Sequence, residues 1–204
     1  MSKSYIALIA DATASRRLPP RGRARLQADA RAALRELDRR YRPVLAARFA
    51  VTLGDELQGL LTTSGAVWDI THQIRARLPA VDWVVAWGRG PISTPLAATA
   101  PEIDGPCFHA ARAALDRAKR VRQVLTFGAF PSALEPLATY YAALYWSWTA
   151  RQRRAAALLR LGSPAETAAR LGIDRSAVSH LARRMAWPLV AAGDKMVRAL
   201  LETA

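Results

Sequence analysis

Asp11, Asp55 and Glu56 are the residues whose types and setting best suit chemistry. Asp11 closes the apolar run Tyr5-Ile6-Ala7-Leu8-Ile9-Ala10. Asp55 and Glu56 sit between the alternating Phe49, Val51, Leu53 and the apolar Leu57, Leu60, Leu61. Acids at the ends of two neighbouring strands are one way to hold magnesium, which takes one or two carboxylates and completes its shell with substrate oxygens and water. Ser15 and Arg16, with Arg17 beside them, follow Asp11 and carry groups that can meet a triphosphate. On spacing alone the same residues fit a solvated turn and a solvated loop equally well.

Those side chains need two strands and a turn to position them. The period-two pattern of Phe49, Val51 and Leu53 predicts a half-buried strand. Gly54-Asp55 predicts a tight hairpin into the next one. A helix is expected from about Gly22 to Arg42, with Leu26, Ala30, Ala33, Leu34, Leu37 and Tyr41 on one side. A second follows Ser64 and stops at Pro79. A strand is expected over 81–87, a helix over 107–120 and a last strand over 121–127. Strand, helix, hairpin, helix, strand, helix, strand predicts an α+β palm, an antiparallel sheet with its helices on one face.

The segments IADATASRRL and FAVTLGDELQGLL resemble the SatD family of bacterial proteins, a likeness that covers nearly the whole chain. More distantly, the first 130 residues or so resemble the palm domain of class III nucleotide cyclases, and GDE resembles the GGDEF diguanylate cyclases, with Leu53 at their first glycine. The resemblance implies that Asp11 and Asp55 are metal ligands for magnesium, and that Ser15, Arg16, Glu56 and Arg112 contact a nucleotide. Arg112 aligns with the cyclases' transition-state arginine. Two departures stand against catalysis. Val51 occupies the place of the purine-reading lysine, and Phe108 or His109, depending on register, the place of the asparagine. Without them the cyclisation transition state would be poorly positioned and stabilised.

Beyond Pro131 and Pro136 the pattern changes. Residues 137–148 are apolar and aromatic nearly all round, which predicts a buried connector helix or a dimer contact. Arg151 to Leu161 reads as a basic amphipathic helix. Ser163-Pro164-Ala165-Glu166 is a capping box with proline at the first helical position. Ala168, Gly172, Val178 and Leu181 then fall at the spacing of a helix-turn-helix, and PAETAARLGIDRSAVSHLARRMAW resembles that motif in many bacterial regulators. Its second helix would present Arg175, Ser176, Ser179, His180 and Arg183 to base edges and phosphates, with Arg151, Arg153, Arg154 and Arg184 on phosphates. A purely structural helical hairpin is the plainer alternative. Residues 190–201 predict a closing helix.

Charge agrees with a polyanionic partner. The chain of 204 residues carries a formal +14, and ten basic against four acidic residues from Arg151 onward put +6 of it in the last quarter. A coding bias toward arginine would give the same total. At 51 % hydrophobic the chain has ample core material. Cys107 is the only cysteine, which excludes an internal disulfide, and His72, His109 and His180 lack metal-ligand spacing. No signal peptide or membrane-length apolar run is evident, so a cytoplasmic protein is expected. The expected organisation is a palm domain over 1–130, a connector over 131–150 and a helix-turn-helix unit over 151–204. The expected function is DNA binding with transcription regulation, as a homodimer, with the palm sensing a nucleotide and magnesium. The competing expectations are a nucleotidyl cyclase or other phosphoryl-transfer enzyme targeted by its helix-turn-helix, and an interaction module with neither activity.

Overall fold

The computed structural model describes residues 3–52 and 55–204; Leu53 and Gly54, the first part of the expected hairpin turn, lie outside the described residues. Strand β1 (Tyr5–Thr13) leads through a short turn of 3-10 helix to α1 (Pro20–Arg40). The hairpin strands are β2 (Leu45–Val51) and β3 (Glu56–Leu61). After them come α2 (Val67–Arg77), β4 (Asp82–Gly90), α3 (Pro106–Arg120) and β5 (Leu125–Gly128). The sheet order is β2-β3-β1-β4-β5, antiparallel throughout except for the β4–β5 pair. The first four strands thus have the arrangement of a split βαβ, or ferredoxin-like, unit. A crossover through α3 appends β5.

The strands alternate as the sequence predicts, but both sides of the sheet are buried. Ile6, Leu8, Ala10 and Ala12 face a core shared with α1 and α2. Tyr5, Ala7 and Ile9 face a second core built on Cys107, Ala111, Ala114, Leu115 and Ala118 of α3. The helices therefore cover two faces rather than the single face expected. The reason is that Ala7, Ala86 and the α3 alanines are small, and small residues on a strand give no warning that a helix lies over them. Gly88 marks how close that helix comes. A Cβ there would overlap the backbone of Cys107 and Ala111.

The remaining helices are α4 (Leu134–Ser147), α5 (Ala150–Leu159), α6 (Pro164–Leu171), α7 (Arg175–Arg184) and α8 (Trp187–Glu202). Helix α4 buries only one side. Leu134, Ala138, Tyr141, Ala142 and Tyr145 join the α1–α2 core, while Tyr140 is 70 % exposed. Burial of 137–148 in the chain is therefore one-sided rather than all round as expected: among the described residues Thr139, Tyr140, Ala143 and Ser147 stay exposed. Helix α8 returns to the sheet domain: Val197 and Leu201 enter its core, Ser64 Oγ donates to Leu201 O at 2.5 Å, and Arg198 Nε lies 2.8 Å from Asp69 Oδ1.

Candidate functional site

Asp11 does not end β1. It lies inside the strand, opposite Glu56 of β3 on one side and Val84 of β4 on the other. Alternation then turns its side chain toward α3 with those of Ala7 and Ile9. Lys119, in the last turn of α3, places Nζ 2.9 Å from Asp11 Oδ2. Two helical turns earlier, Arg112 forks onto Glu56, with Nη1–Oε2 at 2.6 Å and Nη2–Oε1 at 2.7 Å. Gln58 Nε2 adds a hydrogen bond to Glu56 Oε1 at 2.9 Å. Burial raises the Glu56 carboxyl, but the hydrogen bonds from Arg112 and Gln58 outweigh it and leave the group below its ordinary 4.5.

Asp55 faces the other way. The Ser15 hydroxyl donates to its Oδ2, and both residues line a groove of about 540 Å3 with Arg16, Arg23 and Gln27. Burial raises the Asp55 carboxyl above its ordinary 3.8, the negative charge of Asp11 raises it further, and Arg16 and Lys119 oppose this only in part. The negative charge of Asp11 thus reaches Asp55, while the Asp11 carboxylate itself is held by Lys119. Among the described residues no group of three or more His, Cys, Asp or Glu side chains is placed to hold a metal ion. Cys107, in the first turn of α3, is kept a neutral thiol by burial, which pushes it up to about 11.

Asp11, Glu56 and Arg112 thus lie on the α3 side of this end of the sheet, and Asp55, Ser15 and Arg16 line the groove beside α1. Arg112 is not directed to the groove, because Glu56 holds both of its terminal nitrogens. Lys119 was missed. The available signal was its position seven residues after Arg112, on the same side of one helix.

The second candidate surface is α7. Ser163 and Glu166 cap α6 reciprocally, with Glu166 N donating to Ser163 Oγ at 3.2 Å and Ser163 N to Glu166 Oε2 at 2.6 Å. Gly172 ends α6 at φ 63°, the left-handed conformation that glycine takes without strain. Asp174 Oδ1 accepts from Ser176 N at 2.7 Å and starts α7. Val178 is buried and Leu181 half-buried, fixing the inward side. Arg175, Ser176, Ser179, His180, Arg183 and Arg184 are all exposed. Arg151 and Arg154 are exposed on α5. Arg153 instead folds inward, donating from Nη1 to Trp148 O at 2.8 Å and lying over the Tyr145 and Trp146 rings.

Fold and site together define an α+β protein with Asp11, Asp55 and Glu56 at one end of a split βαβ sheet, followed by helices α4 to α8. The SatD family model matches residues 5–126, more than half of the chain, and the chain belongs to the SatD family. Among solved structures it is similar to a bacterial light-regulated adenylyl cyclase at 14 % identity and a TM-score of 0.44, over 61 % of this chain and 74 % of that one. A second structure of a bacterial light-regulated adenylyl cyclase gives 14 % identity and a TM-score of 0.43, over 62 % of this chain and 42 % of that one. No curated protein matches. Among the described residues no helix is long and apolar enough to cross a membrane.

Proposed function

We propose that this protein binds DNA through α7 and regulates transcription, with the sheet domain sensing a nucleotide together with magnesium. The observation that carries the reading is the outer side of α7. It sets three arginines, two serines and a histidine in solvent, opposite a buried Val178, on a helix capped at its start. Guanidinium forks match guanine edges, and the remaining groups reach bases or phosphates. Arg151 and Arg154 would contact the backbone and fix register.

A homodimer fits the same reading. Leu189, Met196 and Leu200 are exposed at 75 %, 57 % and 37 %, and with Gly193 they form a stripe at heptad spacing along α8. Two copies joined there would present two α7 helices, as a two-fold operator requires. Cytoplasmic location follows from a DNA partner.

In the sheet domain, Asp11 and Asp55 would hold magnesium, with Ser15 and Arg16 placed for the nucleotide phosphates. Bound there, the ion would neutralise the two carboxylates and draw in phosphate oxygens. Lys119, now on Asp11, competes for the same charge. The cyclase reading is weaker on two counts: Val51 stands in for the base-reading lysine, and Arg112 is held by Glu56. The test is selection from a genomic fragment pool at near-physiological salt. A few fragments should be enriched, affinity should fall steeply with salt, and Arg175→Ala with Arg183→Ala should abolish the enrichment. Uniform retention of all fragments, indifferent to those substitutions, would contradict the proposal.

A further inference from the structure

A cavity of about 170 Å3 lies where the sheet domain meets the helical unit, between α2, the start of β4, α4 and α5. Its walls concentrate arginine, with Arg75 from α2 and Arg153, Arg154 and Arg160 from α5 and its end. Arg160 is already matched, its Nε at 2.7 Å and Nη2 at 3.1 Å from the two oxygens of Asp194. Among the described residues Asp82 is the one acid on the wall; it receives the Tyr145 hydroxyl at 2.5 Å and lies 3.8 Å from Arg153 Nε. Arg75, Arg153 and Arg154 therefore outnumber their counter-charge.

Arg75 is the informative residue. It is 7 % exposed, and its Nη2 donates to Val124 O, yet Nε and Nη1 have no hydrogen-bond partner among the described residues. Both ring nitrogens of His72, which is 1 % exposed, are in the same position on the same wall. Buried donors on a charged group are costly to leave unpaired, and a guanidinium pairs best with an oxyanion. The Tyr145 ring lies under two of these cations, with the Arg75 and Arg153 guanidinium carbons 4.9 and 5.2 Å from its centroid. The volume is far above the roughly 10–15 Å3 that one water needs, and below the ~300 Å3 at which pockets for drug-sized ligands begin.

We infer that this cavity is a binding site for a compact phosphate anion, of the size of inorganic phosphate or pyrophosphate, held by Arg75, Arg153 and Arg154. None of the hairpin acids lines it, so it is separate from the site at Asp11 and Asp55 and does not rest on the proposed function. Its walls come from both parts of the chain, so the anion would bridge the sheet domain to the helices that lead into α6 and α7.

The test is calorimetric titration of the full chain with phosphate and with pyrophosphate, with a chelator present. Tryptophan fluorescence is followed in parallel, since Trp83 and Trp148 line the cavity. Saturable binding at one site is expected, weakened roughly ten- to hundredfold in Arg154→Ala and Arg75→Met, each removing a charged donor. Arg117→Ala, the same charge change on the exposed side of α3, should leave it unaltered. Circular dichroism checks each fold, and if Arg75→Met fails to fold, exposed Arg154 carries the test. No saturable binding at millimolar anion would overturn the inference. So would equal weakening in Arg117→Ala. Loss of DNA binding in Arg154→Ala, with no anion saturation in the wild type, would also overturn it and assign that arginine to a nucleic-acid backbone.

Discussion

The Arg160–Asp194 pair fastens α8 to the end of α5, and removing its acid should be expensive. The two side chains are only 3 % and 7 % exposed, and two hydrogen bonds join them at 2.7 and 3.1 Å. The guanidinium is packed among aromatic rings, 5.8, 6.0 and 5.4 Å from the centroids of Tyr141, Trp148 and Trp187. Asp194→Ala therefore leaves a positive charge in the interior with its two charge-assisted hydrogen bonds gone. Breaking one side of such a pair costs about 3–5 kcal/mol. That is a large share of the ~5–15 kcal/mol that holds a typical domain together. For a chain of this length it corresponds to a fall in Tm of roughly 6–20 °C. Urea titrations followed by tryptophan fluorescence and by circular dichroism measure it. Arg160→Met combined with Asp194→Leu should recover most of the loss, since it removes both charges and leaves apolar volume among the rings. An Asp194→Ala variant within 1 kcal/mol of wild type, or a double variant no better than the single one, would refute the reasoning.

Two further outcomes follow from the sheet domain. Glu56 is held below its ordinary 4.5, so the stability it contributes is complete above about pH 4.5 and is lost as pH falls through its folded value. Glu56→Gln should therefore destabilise at neutral pH by about 1 kcal/mol, the pair being partly exposed, and the deficit should close in acid; a deficit constant with pH would contradict this. Gly88→Ala should cost about 1–3 kcal/mol by pushing α3 off β4, and should disturb Arg112 and Lys119 on that helix; chemical denaturation with an unchanged midpoint would contradict it.

What was legible in the sequence was what is local. The α6–α7 unit rests on Ser163, Glu166, Gly172 and Asp174, each of which acts within a few residues of itself, and every one does what its spacing implies. The strands of the hairpin were likewise readable, because period-two burial fixes which side each residue takes. What could not be read was distant pairing. Glu56 and Arg112 are 56 positions apart, and only the placement of α3 on the second face of the sheet brings them together. Arg153 looked like a surface cation of a basic helix, yet its neighbours Trp148, Tyr145 and Asp82 draw it into the junction. The return of α8 onto α2 through Ser64, Asp69 and Leu201 likewise depends on positions more than a hundred residues apart. The sequence holds no pattern for such contacts.

The most direct measurement of the central claim is DNA affinity as a function of nucleotide and magnesium, on fragments selected by the protein itself. Titrations with ATP or GTP, with and without magnesium, would run on the wild type and on Asp55→Ala in parallel. The account predicts selective binding whose affinity shifts with nucleotide and magnesium together, and a variant that binds the same fragments without the shift. Nucleotide consumed in the same tubes with no selective DNA binding would contradict it and establish an enzyme instead.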